Sequence, residues 1–395
     1  MTSSSDLVIG VVGAGAMGSG IAQVAATAGH RVILGDMNAS AVGRARAAIG
    51  KSLAREVEKG RMDEPAARAL LSRIHDAGEL SQHYTAFADC GIVIEAILED
   101  LDTKRALFRA LESVVRDDCM LATNTSSLSV TAIAGGCARA ERVIGIHFFN
   151  PAAVMPLVEI VPGLATGGDV LKRSVGMVKR WKKTTVVASD TPGFIVNRIA
   201  RPFYSESLRQ LEEGIADVAT IDWAMRELGG FRMGPFELMD FIGNDVNYAV
   251  TSSVFDAFYQ DSRYRPSTTQ RRLVDAGWYG RKSGRGYYDY REGAERKEPT
   301  RDETIGRAIL DRTLAMLINS AVDAVHMGVA SARDIELAMT TGVNYPKGLL
   351  AWGDEIGPPA ILARLEQLQQ DYGEERYRPS PLLQRRARDG ARLAS

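Results

Sequence analysis

Two groups of residues have the types and spacing to do chemistry. Gly13-Ala14-Gly15-Ala16-Met17-Gly18 fits the pattern GxGxxG. Between a strand and a helix, the first glycine makes the tight turn. The second lets the backbone approach a pyrophosphate, and the third lets helix and strand pack closely. Ala16 and Met17, within this turn, are candidate cofactor contacts, and the N-terminus of the helix that follows presents N–H groups to the phosphate charge. Asp36 lies at the distance where a carboxylate accepts hydrogen bonds from a ribose, which favours NAD over a 2′-phosphorylated dinucleotide. The second group is His147 with Glu159, twelve residues on. A carboxylate bonded to one imidazole nitrogen fixes the tautomer, stabilises the imidazolium and tunes the other nitrogen as a base. Plainer readings stand beside both groups: a glycine turn without a ligand, a structural histidine, a glutamate on a surface strand.

The elements around these residues read as alternating strand and helix. Residues 7–12 form a short apolar run, 19–28 a helix of small apolar residues, and 31–34 a second strand leading to Asp36. That is one βαβ unit. A helical stretch covers 39–59 and a second covers about 64–74, a pair that projects from a sheet as an arm. Residues 91–95, 120–123 and 142–146 are further strands, and 154–161 and 184–188 complete a mostly parallel sheet. His147 then falls just beyond the carboxyl end of the 142–146 strand, the edge where ligands bind in such sheets. Pro156 lacks an N–H, which points to an edge position for its strand.

Pro192-Gly193 marks a boundary, after which the chain reads as helical. Within that part the sequence repeats. Gly214-Ile215-Ala216, Ile221-Asp222 and Met225 recur as Gly328-Val329-Ala330, Ile335-Glu336 and Met339. Gly234, Asp240 and Gly243 recur as Gly348, Asp354 and Gly357, and Tyr264-Arg265-Pro266-Ser267 recurs as Tyr377-Arg378-Pro379-Ser380. Agreement in register at so many positions indicates an internal repeat. The expected organisation is therefore an α/β Rossmann domain at 1–191 with a helical arm at about 39–75, a helical domain at 192–291, a linker at 292–304, and a shortened second copy at 305–395. In that copy Asp311 stands where Asn197 stands in the first. It also stops before a counterpart of the glycine-rich segment 280–290.

Bulk properties narrow the function classes. At 395 residues the chain exceeds one ordinary core. Its 45% hydrophobic and 25% charged residues are typical of globular proteins, and a net charge of −1 offers no overall field for nucleic acid or an anionic membrane. No apolar stretch approaches the ~20 residues of a membrane helix, and the polar first six residues do not read as a signal peptide. Three cysteines without CxxC or metal-ligand spacing suggest reduced thiols in a cytoplasmic protein.

Further segments carry a resemblance. They are Asn124-Thr125-Ser126-Ser127-Leu128, His147-Phe148-Phe149-Asn150-Pro151, Leu157-Val158-Glu159, 190–198 (Asp-Thr-Pro-Gly-Phe-Ile-Val-Asn-Arg) and 233–238 (Met-Gly-Pro-Phe-Glu-Leu). In residue type, order and spacing they resemble the NAD-dependent L-3-hydroxyacyl-CoA dehydrogenases over about residues 7–290. The resemblance extends to bacterial members with a duplicated helical domain, which act on 3-hydroxybutyryl-CoA and 3-hydroxyadipyl-CoA.

The resemblance implies a Rossmann domain followed by a helical dimerising domain, and reversible oxidation of (S)-3-hydroxyacyl-CoA without a metal. It makes His147 the general base, Glu159 its orienting carboxylate, and Ser126 and Asn197 partners of the substrate oxygen and the nicotinamide. Asn150, Glu99, Lys104 and Lys282 become cofactor contacts, and Ser52 and Lys59 on the arm become contacts to CoA. The second helical copy could replace the usual dimer partner as an internal pseudo-dimer; a homodimer is the other arrangement. Two other functions stay open on the residues alone: an NAD dehydrogenase of a hydroxy acid that is not a CoA thioester, and a non-catalytic NAD-binding protein.

Overall fold

A computed structural model describes residues 7–78, 80 and 84–394; His83 and the first six residues lie outside the described residues. The chain divides into two compact units, Met1–Thr191 and Pro192–Ser395.

In the first unit, β1 (Ile9–Val12), β2 (Val32–Gly35), β3 (Ile74–Asp76), β4 (Ile92–Glu95), β5 (Met120–Thr123), β6 (Val143–Phe148), β7 (Leu157–Pro162) and β8 (Thr184–Val187) form one sheet. Its order is β3-β2-β1-β4-β5-β6-β7-β8. Neighbours pair in parallel except β6 with β7, which are antiparallel. The helices are α1 (Ala16–Thr27), α2 (Ala39–Glu58), α3 (Glu64–Ser72), α4 (Leu101–Glu112), α5 (Val130–Ala134) and α6 (Gly168–Arg180). They cover both faces. Ile21, Val42, Leu70 and Met177 pack with Ile9, Val11 and Leu34 on one side. Leu107, Phe108 and Ile133 pack with Val12, Ile33 and Val93 on the other. Burial on both faces is why these strands read as continuous apolar runs. The chain leaves β3 at one edge and re-enters at β4 beside β1, so a topological switch lies between β1 and β4.

Three expectations need correction. Helix α3 stops at Ser72, and Ile74 starts the edge strand β3 against Val32. Three residues, Ile-His-Asp, are too short to show an alternation. The strand expected at 154–161 begins at Leu157, because Val154 and Met155 turn back with both N–H groups on the Pro151 carbonyl. Finally, β7 is not an edge strand. It lies between β6 and β8, and Pro156 precedes it, so the missing N–H breaks no ladder bond. The Pro156 carbonyl still accepts from Thr184 N at 2.8 Å.

In the second unit, α7 (Val196–Ile199), α8 (Arg201–Glu212), α9 (Val218–Trp223), α10 (Pro235–Ile242), α11 (Asn244–Ala257) and α12 (Thr268–Asp275) are followed by α13 (Glu303–His326), α14 (Ala332–Gly342), α15 (Leu349–Ile356), α16 (Pro358–Tyr372) and α17 (Pro381–Asp389). Local devices recur along them. Asp217 caps Thr220 N, and Ser331 caps Asp334 N. Buried Asp222 accepts from Phe236 N and Glu237 N at the start of α10. Glu336 accepts from Leu350 N and Ala351 N at the start of α15. Gly243 and Gly357, at φ 106° and 96°, turn each of these helices into the next. Asp240 accepts from Tyr287 N and Tyr288 N, while Asp354 accepts from Leu393 N and Ala394 N. The later helices thus close on a short substitute for the segment their sequence lacks. Arg312 of α13, 2% exposed, joins the two series through Glu206 at 3.0 Å, Glu213 at 2.6 and 2.9 Å, and the hydroxyls of Tyr372 and Tyr377.

Candidate active site

The glycine turn joins β1 to α1. Gly13 has φ +103°, and a Cβ there would lie 2.4 Å from the Ala96 carbonyl oxygen. A Cβ at Gly18 would lie 1.7 Å from the Gly13 carbonyl oxygen. Both glycines are demanded by the protein's own packing. Gly15 is different, since a Cβ there would meet nothing of the protein within 4 Å. Its bareness serves a group approaching from outside, as a pyrophosphate would. Gly15 also starts α1 without a side-chain cap, so Ala16, Met17 and their neighbours keep N–H groups for an anion. Asp36 follows β2 and accepts from Ala14 N at 2.7 Å and Asn38 N at 2.9 Å. The carboxylate is thereby aligned with the turn and retains lone pairs for ribose hydroxyls. These residues fit a dinucleotide.

The His147–Glu159 pair is set by strand register. His147 lies inside β6, not beyond it, because the antiparallel partner β7 extends the strand to Phe148. His147 stands directly opposite Glu159, and its Nδ1 lies 2.7 Å from Glu159 Oε2. Side chains opposite one another on adjacent strands project to the same face, so the ladder itself brings the two together. Glu159 is fully buried and His147 is 5% exposed, with the Phe149 ring 4.6 Å away between centroids.

Ser126 belongs to the turn after β5, at the same carboxyl edge as His147. The Asn124 side chain accepts the Phe148 N–H at 2.8 Å and ties this turn to β6. Glu99 holds the turn from the other side. It accepts from Thr125 Oγ1 at 2.5 Å, Ser126 N at 2.9 Å, Ser127 N at 3.2 Å and Ser127 Oγ at 3.1 Å. Burial raises the Glu99 carboxyl, but Lys104, Thr125 and Ser126 more than offset it and leave it below the ordinary range. Lys104 is 1% exposed, with its ammonium between Glu95 and Glu99. Asn150 is exposed in the turn between β6 and β7. Lys183, which sequence reasoning missed, fastens that turn by donating to the Ala152 carbonyl at 2.6 Å and the Met155 carbonyl at 2.7 Å. Burial lowers its ammonium pKa. On the arm, Ser52 is half-buried, and exposed Lys59 lies 3.8 Å from Glu56.

Two expected site residues belong to the second unit. Asn197 is half-buried in α7. The preceding turn needs Gly193 at φ +74°, where a Cβ would meet Arg198 N at 2.9 Å. Lys282 pairs with Asp245 at 2.7 Å. The tyrosines nearby are structural. Tyr288 donates to Asp222 and Tyr290 to Asp240, while Tyr287 packs edge-on against Phe236.

Both units match domains of one family. Residues 8–191 match the family description "3-hydroxyacyl-CoA dehydrogenase, NAD binding domain". Residues 193–290 and 309–392 match "3-hydroxyacyl-CoA dehydrogenase, C-terminal domain". The chain is 41% identical over 466 residues to 3-hydroxyadipyl-CoA dehydrogenase of Escherichia coli (strain K12), covering 96% of this chain and 97% of the relative. It is 43% identical over 283 residues to 3-hydroxybutyryl-CoA dehydrogenase of Bradyrhizobium diazoefficiens, covering 72% of this chain and 95% of that one. The crystal structure of 3-hydroxybutyryl-CoA dehydrogenase from Escherichia coli K12 superposes with a TM-score of 0.89 at 39% identity, covering 97% of this chain and 98% of that one. With a dinucleotide cradle, a buried His–Glu pair and matches along nearly its whole length, the chain belongs to the 3-hydroxyacyl-CoA dehydrogenase family.

Proposed function

We propose that this NAD-dependent enzyme oxidises (S)-3-hydroxyacyl-CoA to 3-oxoacyl-CoA with His147 as general base and Glu159 as its orienting carboxylate. The carrying observation is their 2.7 Å hydrogen bond, buried and fixed by strand register at the carboxyl edge of the sheet. With Nδ1–H donated to Glu159, the neutral imidazole has its basic lone pair on Nε2. That nitrogen takes the 3-hydroxyl proton as the C3–H bond breaks and the C3=O bond forms. Bound NAD supplies the hydride acceptor. In the reverse direction the imidazolium polarises the 3-keto group and returns the proton. Glu159 stabilises the imidazolium in both directions. Positioned proton transfer of this kind is worth about 10²–10⁴-fold in rate. Ser126 and Asn197 hydrogen-bond the substrate oxygen and the nicotinamide. Asn150 contributes to the same site, and Ser52 and Lys59 meet the CoA moiety, whose phosphates favour a cation.

NADH consumption with acetoacetyl-CoA and with free acetoacetate, by the wild type and His147→Ala, tests this. Turnover confined to the thioester and abolished in the variant is expected. Equal turnover of the free acid would point to another hydroxy-acid dehydrogenase.

The second helical series is a shortened copy of the first and stands in for a dimer partner. The recurring carboxylate caps at Asp222 and Glu336 and the buried Arg312 network support this. A chain ending at Glu292 would bare the apolar faces of α8 and α9 and aggregate. A soluble, fully active monomer of that length would overturn the arrangement. A reducing, cytoplasmic setting suits the three free cysteines, whose thiols burial pushes up to about 12, 12 and 11 at Cys90, Cys119 and Cys137. No helix among the described residues is long and apolar enough to cross a membrane.

A further inference from the structure

Charge compensation singles out one arginine of the second unit. Arg142, Arg198, Arg201, Arg312 and Arg376 are all buried. Arg142 pairs with Glu112, Arg198 with Asp323, Arg312 with Glu206 and Glu213, and Arg376 with Glu374. Arg201 meets no carboxylate among the described residues. Its Nη1 donates to Thr251 Oγ1 at 3.0 Å, and its guanidinium lies over the Tyr204 ring, 5.0 Å from the centroid. Its Nε is buried without a hydrogen-bond partner among the described residues, and so is the Tyr345 hydroxyl. Tyr345 packs on Phe203, 5.8 Å between ring centroids, and so stands beside Arg201. Burial lowers the Arg201 guanidinium, which the Tyr204 and Tyr345 hydroxyls are near enough to offset in part. An arginine still keeps its proton, and a buried charge left unpaired is costly. The fold does not require it. In the second copy, where Asp311 stands for Asn197, the residue matching Arg201 is Ala315, also buried.

Position says what the charge is for. Ala200 is helical and joins α7 to α8, so Asn197 and Arg201 occupy successive turns of one face. Helical side chains lean toward the N-terminus, here toward the turn of Asn197. Four residues of helix advance about 6 Å, the reach of an acyl chain a few carbons past C3. We propose that Arg201 is a specificity-determining residue: together with the Tyr345 hydroxyl it receives a carboxylate at the far end of the acyl chain. The favoured substrates are 3-hydroxyacyl-CoA thioesters whose chain ends in a carboxylate a few carbons beyond C3. This rests on the reading of Asn197 as a contact of the substrate oxygen. The planar guanidinium suits a carboxylate, which takes its N–H groups in pairs. Burial keeps the Tyr345 hydroxyl protonated, so it adds a further donor. Tyr345 also makes the second helical copy part of substrate recognition.

The test compares NADH-dependent reduction of 3-oxohexanoyl-CoA with that of 3-oxohexanedioyl-CoA, the same chain ended by a carboxylate. Wild type, Arg201→Met and Tyr345→Phe are assayed with both. The wild type should favour the carboxylate-ended chain by roughly 100-fold in kcat/KM, the scale of one charge-assisted pair. Arg201→Met removes the charge and should abolish the preference. Its kcat/KM should fall by roughly 100-fold for the carboxylate-ended chain and rise for the uncharged one, which no longer meets an unpaired cation. Tyr345→Phe keeps the charge and should reduce the preference by about tenfold, the worth of one hydrogen bond. Equal use of the two chains by the wild type, or a folded Arg201→Met that keeps the preference, overturns the assignment. If Arg201→Met does not fold, an unchanged preference in Tyr345→Phe overturns it. Asn197→Ala separates the two levels. If it turns over both chains as wild type does, the reading of the site fails. If it is impaired on both while Arg201→Met keeps the preference, only this inference fails.

Discussion

The Asn124 side chain accepts the backbone N–H of Phe148 at 2.8 Å, tying the turn that carries Ser126 to the residue after His147. The bond lies between neighbouring strand ends and spaces them. Asn124→Ala should therefore damage catalysis more than stability. We expect a loss of about 1 kcal/mol in urea unfolding, the net worth of one such bond. We expect kcat to fall by roughly 10- to 100-fold, because small misplacements of reacting groups are costly. Steady-state kinetics beside an unfolding curve measures both.

Glu159→Gln keeps a hydrogen-bond acceptor for His147 Nδ1 but removes the charge that stabilises the imidazolium. Turnover should drop by about 10²–10⁴-fold. In the His147→Ala background the same change should cost almost nothing more, since the two act as a unit. Independent, additive losses would show that Glu159 works elsewhere.

The glycines of the turn should separate by role. Gly18→Ala puts a methyl 1.7 Å from the Gly13 carbonyl oxygen and should destabilise the fold by at least about 3 kcal/mol. Gly15→Ala meets no protein atom within 4 Å, so the melting temperature should stay put. NADH affinity should nonetheless fall by about tenfold, or 1.4 kcal/mol. Melting curves with and without NADH distinguish the two.

The second unit carries a pH dependence at Asp222. Burial pushes its carboxyl up to about 7, against the lowering hydrogen bonds from Tyr288, Phe236 and Glu237. In the unfolded chain the same group titrates near ~4. Between those values the native state holds the extra proton, so the stability this group contributes declines as pH rises from about 4 to about 7, by up to roughly 4 kcal/mol. Urea unfolding at pH 5 and pH 8 should show a smaller decline for Asp222→Asn than for wild type. Equal slopes would mean that Asp222 titrates alike in both states.

The βαβ unit and its glycines were legible because a phosphate cradle constrains residue type directly. His147 and Glu159 were legible as a pair that two strand segments could bring together, but not as residues directly opposite in one ladder. Only the register of an antiparallel pair sets them opposite, and a segment of apolar residues does not announce its direction. Supports were harder to see. Lys183 meets backbone carbonyls 28 and 31 residues away, a contact with no sequence spacing of its own. Lys104 was legible only as a residue near the cofactor, since nothing in the composition of α4 reveals that its fourth residue points inward. Strand β3 was lost to the helix before it because one apolar residue makes no pattern.

Placing the proposed acid/base pair on paired strands also shapes how this enzyme would age under heat. Many active sites sit on loops that fail before the scaffold does. Here β6 is interior, flanked by β5 and β7, and the His147–Glu159 geometry cannot loosen until that central pairing opens. A slip of one residue would send the two side chains to opposite faces, so the pair is either in place or absent. Inactivation at this pair and collapse of the sheet become a single event, and residual activity becomes a faithful gauge of how many first units remain folded.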